Sequence, residues 1–209
     1  MKYIDRYQAG RVLAELLKNY AHRSDVIVLA LPRGGVPVAY EITAKLSLAL
    51  DILVVRKLGA PGHKELAIGA IASGGITVLN QSIVQAFNID ESVIDDVARA
   101  ERKELMRREF LYRGTHSVPD LNGKTIILVD DGMATGSTMK AAILAMKQKN
   151  TADIIVAVPV AARATCKELS SLVKKIICPL QLDSFYAVGM WYDDFSQTTD
   201  EEVVALLKQ

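Results

Sequence analysis

Short apolar runs alternate with helically spaced apolar residues along most of this chain, and that alternation restricts its fold more than any other feature. Val26 to Leu31, Ile52 to Val55, Ile76 to Leu79, Thr125 to Val129 and Asp153 to Val158 are runs of strand length. Between them Val38, Ala39, Ile42 and Leu46, and later Met139, Ala142, Ile143 and Met146, recur at the spacing of one helix face. Runs with little polar alternation suit strands covered on both faces. Strand and helix in turn predict an α/β domain with a mostly parallel central sheet flanked by helices. A chain of 209 residues, 50% of them hydrophobic, has the material for one such core. A single domain over 1–209 is therefore expected.

The remaining elements follow from the same signals. Ala9 to Tyr20 carries the apolar spacing of a first helix. Asp90 stands where it can cap a helix running to Arg113, whose charges alternate in sign and predict a solvated face. Ala161 to Val173 reads as another helix, and Ile176-Ile177 and Phe185 to Val188 as two short strands. Thr199 and Glu202 have capping-box spacing and open a terminal helix.

Composition narrows the function. A formal net charge of +1 supplies no field for nucleic acid or an anionic membrane surface. No apolar run approaches the roughly 18 residues needed to span a bilayer, and the first residues do not read as a signal peptide. The two cysteines, Cys166 and Cys178, form no C-x-x-C pair and are expected as small apolar residues without a disulfide. A cytoplasmic protein acting on small molecules is the expectation.

In open parallel sheets ligands bind at the carboxyl ends of the strands, which directs attention to the turns after Leu31, Val55, Val129 and Val158. The turn after Val129 is the most informative. Thr125 to Met139 reads TIILVDDGMATGSTM, an apolar strand running into two carboxylates, then small hydroxyl residues and a helix start. Thr135, Gly136, Ser137 and Thr138 can aim N–H groups and hydroxyls at a phosphate. The helix N-terminus adds about 0.3–1 kcal/mol of favourable field. Asp130 and Asp131 would repel that phosphate, but carboxylates accept hydrogen bonds from vicinal sugar hydroxyls. A ribose 5-phosphate matches this charge pattern. A P-loop is excluded by the spacing from Gly132 to Gly136 and by the missing lysine, and no G-x-G-x-x-G is present.

This segment resembles the phosphoribosyl pyrophosphate signature of type I phosphoribosyltransferases. The resemblance implies that family's fold, with a small hood subdomain built from the terminal segments. It implies that Asp130 and Asp131 hold the ribose hydroxyls and that Ala134, Thr135, Gly136, Ser137 and Thr138 wrap the 5-phosphate. Leu31-Pro32-Arg33-Gly34-Gly35 is similar to the family's diphosphate loop, so Arg33, Gly34 and Gly35 would contact the diphosphate. A cis peptide before Arg33 or Gly34 is implied too. Arg56 to Glu65 resembles the mobile catalytic loop, with Arg56 and Lys57 as the cations facing the leaving group and Gly59 to Lys64 as its mobile part. Phe185 to Phe195 resembles the base-binding end of purine-salvage members, which marks Tyr186, Val188 and Asp193.

The implied reaction is transfer of ribose 5-phosphate to a nitrogen acceptor, a nucleobase in a salvage route, with release of diphosphate. Asp130 and Asp131 favour positive charge at the ribose C1, and Arg33, Lys57 and backbone N–H groups neutralise the leaving group. Magnesium is the implied cofactor, reaching Asp130 and Asp131 through ribose or water rather than directly. A homodimer is compatible with the family. Two departures bear on the acceptor. Purine-salvage members carry a carboxylate where this chain has Ala134, and a lysine where it has Val158-Pro159-Val160. The acceptor is therefore not expected to be hypoxanthine or guanine. The rival functions are a non-catalytic regulator that binds phosphoribosyl pyrophosphate or a nucleotide, and a hydrolase using the same site.

Overall fold

The computed structural model describes residues 2–60, 63–115 and 117–208, without the side chains of His63, Lys64 and Glu65. In chain order the elements are α1 (Arg6–Leu16), β1 (Val26–Ala30), α2 (Gly35–Leu46), β2 (Ala49–Ile52), β3 (Val55–Ala60), β4 (His63–Ala72), β5 (Ile76–Leu79), α3 (Gln81–Ala86) and α4 (Glu91–Arg113). They continue with β6 (Thr125–Val129), α5 (Ser137–Lys147), β7 (Asp153–Ala157), β8 (Val160–Ala162), α6 (Arg163–Ser170), β9 (Lys175–Ile177), β10 (Leu180–Leu182) and α7 (Asp200–Leu207).

The central sheet is parallel, in the order β2-β1-β6-β7-β9. Every residue of β1 and β6 is buried, which is why neither run alternates with polar residues. Along β6, Ile127 and Val129 join the core under α1, α2 and α7, while Ile126 and Leu128 join the core under α5 and α6. Ala30 is level with Val129, and Val129 with Ala157. The turns that follow β1, β6 and β7 therefore leave the sheet side by side. β3, β4 and β5 form an antiparallel sheet of their own, and β8 pairs with β10.

Several local expectations need correction. The run Ile52 to Val55 is not one strand. β2 ends at Ile52 in the central sheet and β3 begins at Val55 in the antiparallel one. Leu53 and Val54 are buried at the crossing, where Leu53 N–H reaches Ala30 O and Ser73 Oγ accepts from Val54 N–H. Ala161 and Ala162 belong to β8, because Met133 needs Ala162 N–H as a backbone partner, and the helix starts only at Arg163. Phe185 to Val188 is not a strand. The strand there is β10, and Val188 to Trp191 is a single 3₁₀ turn. Asp90 sits at the N-cap of α4 without a side-chain capping bond, whereas Thr199 caps α7 by accepting from Glu202 N–H.

The face of α4 is also less solvated than its charge pattern predicts. Arg113 is 7% exposed and pairs with Asp51 and Glu109. Arg56 on β3 pairs with Glu101, so ion pairs staple α4 to both sheets. Cys166 is buried and Cys178 half-buried, both as free thiols.

Candidate active site

Asp130 and Asp131 follow directly on β6, and the 31–35 turn follows on β1, so the level register brings the two together. Leu31 N–H donates to Val129 O at 2.8 Å. A Cβ on Gly34 would lie 2.0 Å from Asp131 Oδ2, and one on Gly35 would lie 2.6 Å from Val129 O. Both glycines are thus required by close approach of the turn to the acids. The Pro32–Arg33 peptide is cis, at one of the two positions implied by the resemblance.

The phosphate-loop segment is held from a second side. Met133 N–H donates to Val160 O and Met133 O accepts from Ala162 N–H, which docks the loop on β8. Thr165 Oγ1 donates to Ala134 O at 2.6 Å. Gly136 takes φ +68°, open to glycine at little cost, and a Cβ there would meet Thr165 at 2.4 Å. Thr135 and Ser137 hydroxyls lie 3.2 Å apart. Asp130, Gly132, Ala134, Thr135, Gly136, Ser137 and Thr138 help line a cleft of about 120 Å³ at the N-terminus of α5. N–H groups free of helix bonds and a positive dipole end face such a cleft, which suits an oxyanion.

The two acids differ in surroundings. Burial holds the Asp130 carboxyl well above the ordinary carboxylate range, and the charge of Asp131 adds to it. Asp131 is also raised by burial, but the Arg6 guanidinium pulls against the shift. Arg6 Nε donates to Asp131 Oδ2 at 2.8 Å, and Arg6 Nη1 to Ser196 O at 2.7 Å. The guanidinium carbon sits 3.9 Å from the centre of the Phe195 ring. Tyr192 Oη donates to the backbone carbonyl of Asp131 at 2.5 Å.

Arg6, Tyr192, Phe195 and Thr165 have no local sequence signal. Each is far from Asp130 and Asp131 in the chain and is identified only by the contact.

A raised acid pKa has a testable sign. Asp130 holds its proton more tightly folded than unfolded, where its pKa is about 3.9. Its contribution therefore favours the fold most at low pH and is lost as pH rises through the folded value. Asp130→Asn keeps an acceptor for Asp131 N–H, which now bonds Asp130 Oδ1 at 2.9 Å. Thermal unfolding of Asp130→Asn should show a Tm equal to or above wild type at neutral pH. The difference should shrink as pH falls toward about 4. A Tm clearly below wild type at neutral pH contradicts this assignment.

Other expected site residues are placed less centrally. Val188 packs on the acid loop, since a Cβ on Gly132 would lie 2.4 Å from its Cγ1. Tyr186 is 83% exposed, and Asp193 is exposed with its N–H on Tyr3 O. The aromatic wall beside the acids is made instead by Tyr192 and Phe195, with ring centres 5.0 Å apart. Arg56 is engaged with Glu101, and Lys57 is exposed on β3. The described parts of the expected mobile loop are strands. Gly59 pairs with Ala67 and Ala60 with His63, across register shifts. Pro61 and Gly62 lie outside the described residues. Among the described residues no helix is long and apolar enough to cross a membrane.

Comparison with known proteins agrees with this geometry. A family model described as a phosphoribosyl transferase domain matches residues 5–194. A Mycobacterium tuberculosis (strain H37Rv) protein, Rv0571c, provisionally named a phosphoribosyl transferase, is 42% identical over 204 residues. The match covers 97% of this chain and 46% of that protein. The chain thus spans about half the length of such relatives. The bifunctional protein PyrR of Corynebacterium diphtheriae is 31% identical over 116 residues, 52% of this chain and 60% of that protein. Among solved structures, TT1426 from Thermus thermophilus superposes with a TM-score of 0.89 at 38% identity. That superposition covers 99% of this chain and 98% of the other.

Proposed function

The chain belongs to the phosphoribosyl transferase domain family, with the type I fold, and from that premise we propose that it transfers ribose 5-phosphate from phosphoribosyl pyrophosphate to a nitrogenous acceptor, a nucleobase, releasing diphosphate. One observation supports this most. The 31–35 turn and the 130–138 loop touch at Gly34 and Asp131, so a ligand with phosphates at both ends and a sugar between can meet both at once.

In the proposed reaction a bond forms between the acceptor nitrogen and C1 of ribose as the bond from C1 to the diphosphate oxygen breaks. Asp130 and Asp131 accept from the ribose hydroxyls and favour the positive charge that develops at C1. The 135–138 N–H groups and hydroxyls hold the 5-phosphate. Arg33, the Gly34 N–H and Lys57 from the hairpin face the diphosphate; the Gly35 N–H is held by Leu31 O, and Arg56 would join only on leaving Glu101. Bound magnesium would add charge neutralisation on the diphosphate oxygens. The ion would be held mainly by ligand oxygens and water, with Asp130 and Asp131 reaching it through ribose or water. The terminal segments 3–8 and 188–196 flank the acids and would serve as the hood over the base.

The acceptor is proposed to be other than hypoxanthine or guanine. Ala134 and Pro159 offer no side-chain donor or acid to a 6-oxopurine edge. Their carbonyls are already engaged, by Thr165 Oγ1 and by Tyr3 Oη. An unpaired polar edge costs about 1–3 kcal/mol, or tenfold and more in selectivity.

The test is incubation with phosphoribosyl pyrophosphate, magnesium and a panel of hypoxanthine, guanine, adenine, xanthine, uracil and orotate. Diphosphate release dependent on one base is the expected result. Binding without release under any base would favour a regulator, and release without any base a hydrolase.

A further inference from the structure

Two arginines of α4 converge on Arg33 of the 31–35 turn. Arg107 and Arg108 are consecutive on α4, Arg33 comes from the turn after β1, and Tyr112 lies one helical turn beyond Arg108. With Asp200, the first residue of α7, they line a cleft of about 170 Å³. Every lining residue presents polar or charged atoms, so the cleft suits a small ion and not an organic body.

The hydrogen bonds around the cleft leave several donors unused. A guanidinium carries five N–H donors. Arg107 gives Nε and Nη2 to Glu104, and Arg108 gives only Nε to the same carboxylate. Among the described residues, both Nη groups of Arg108 and Nη1 of Arg107 meet no protein acceptor. Arg33 reaches Asp200 only as a long ion pair of 3.6 Å. Tyr112 Oη donates to Asp200 Oδ1 at 2.6 Å. Its pKa is pushed up to about 12, by burial first and then by that bond, so it stays a donor. Three cations face two carboxylates, Glu104 and Asp200. The balance is positive and the donors are in forks, the geometry that phosphate oxygens accept bidentately. Asp200 already holds an acceptor's place in the cleft, bridging Tyr112 and Arg33.

We propose that the Arg33–Arg107–Arg108 cleft binds a phosphate group, with α4 supplying two of the cations. Its position deepens the proposed function and rests on it in one respect: Arg33 belongs to the turn assigned to diphosphate. The phosphate has two candidate sources, the diphosphate end of the sugar substrate or a free anion bound beside it.

The experiment uses calorimetric titration of the full chain in phosphate-free buffer, with inorganic diphosphate as the probe. Arg107→Gln/Arg108→Gln should weaken diphosphate binding about tenfold to over a hundredfold, the range for lost charge-assisted bonds. Asp200→Asn should tighten it by removing the competing carboxylate. Titration with ribose 5-phosphate, which probes the 135–138 loop, should be the same in wild type and the arginine double variant. Competition distinguishes the sources. Displacement of diphosphate by phosphoribosyl pyrophosphate assigns the cleft to the substrate's own diphosphate, and simultaneous binding assigns it to a second anion. Diphosphate affinity within about twofold of wild type in a folded double variant overturns the proposal. Side-chain Nε–Hε signals give a check without mutation. Those of Arg33, Arg107 and Arg108 should move on adding diphosphate to the wild type, and stationary signals also overturn it. Failure of ribose 5-phosphate to bind would instead count against the proposed function and leave the cleft standing.

Discussion

Asp131→Asn is expected to cost both ligand and stability, in contrast to the same change at Asp130. The ligand effect follows from a lost charged hydrogen bond to a ribose hydroxyl, about 1.5–3 kcal/mol, or tenfold to over a hundredfold in affinity for phosphoribosyl pyrophosphate. The stability effect comes from Arg6. Its guanidinium is 11% exposed and its Nε bond ends on the Asp131 carboxylate. Asparagine keeps an oxygen but removes the charge, leaving a largely enclosed cation weakly matched at a cost of about 1–3 kcal/mol. For a chain of this size each kcal/mol moves Tm by about 2–4 °C. Titration calorimetry and thermal unfolding measure the two effects on one sample. The sequence alone predicts little change in stability at this position, because Arg6 is not visible from it. Wild-type affinity in the Asp130→Asn/Asp131→Asn double variant would remove both acids from the ligand site.

Gly35→Ala should be at least as damaging. The added methyl would sit 2.6 Å from Val129 O and 3.0 Å from Asp130 Cα, both backbone atoms. Val129 O already accepts from Leu31 N–H at 2.8 Å, so neither strand end moves without breaking that bond. Overpacking of this kind costs about 1–3 kcal/mol, and it separates the turn from the acids at the point where one ligand must touch both. A fall in Tm together with loss of phosphoribosyl pyrophosphate binding is the expected outcome. An unchanged affinity would show that the two turns need not meet. At Gly75 and Gly114 no atom lies within 4 Å of the added carbon, so a substitution there meets the strain of a positive φ but no such clash.

The legible part of this protein is the part encoded by local pattern. β1, β6 and β7 are apolar runs because both faces of the sheet are covered, and the helices after β1 and β6 show their buried faces at helical spacing. The acid pair and its small-residue loop are contiguous in sequence, so their charge pattern is readable without the fold. What escaped has nonlocal causes. Leu53 and Val54 look like strand because they are apolar, yet they are apolar because two sheets cross over them. β8 is three residues long and exists for Met133 and Leu180, which lie on opposite sides of it in the chain. The Phe185 to Val188 run has strand composition, but Tyr186 is exposed and Val188 is turned onto Gly132. Arg6 is one arginine among many on the chain, and only the fold selects it, across 125 positions, for Asp131.

The contacts across the two ends of the described chain carry a consequence for synthesis. Tyr3 N–H bonds Trp191 O, Arg6 reaches Ser196 O, and Tyr7 Oη donates to Glu202. A chain emerging from the ribosome at about 5–20 residues per second presents its amino-terminal residues well before residues 191 to 202 exist outside the tunnel. During that interval the central strands and the 31–35 and 130–138 segments are already available, but Arg6 has neither the Phe195 ring nor the Ser196 carbonyl to fix it. The nascent protein therefore displays an acid pair whose cation is not yet fixed, and the full geometry arrives only with residues 191 to 196. Long-range closure of this kind also slows folding. Synthesis through Phe195 and Ser196 acts as the step that arms the site, and a chain stopped before them is left with a half-formed one.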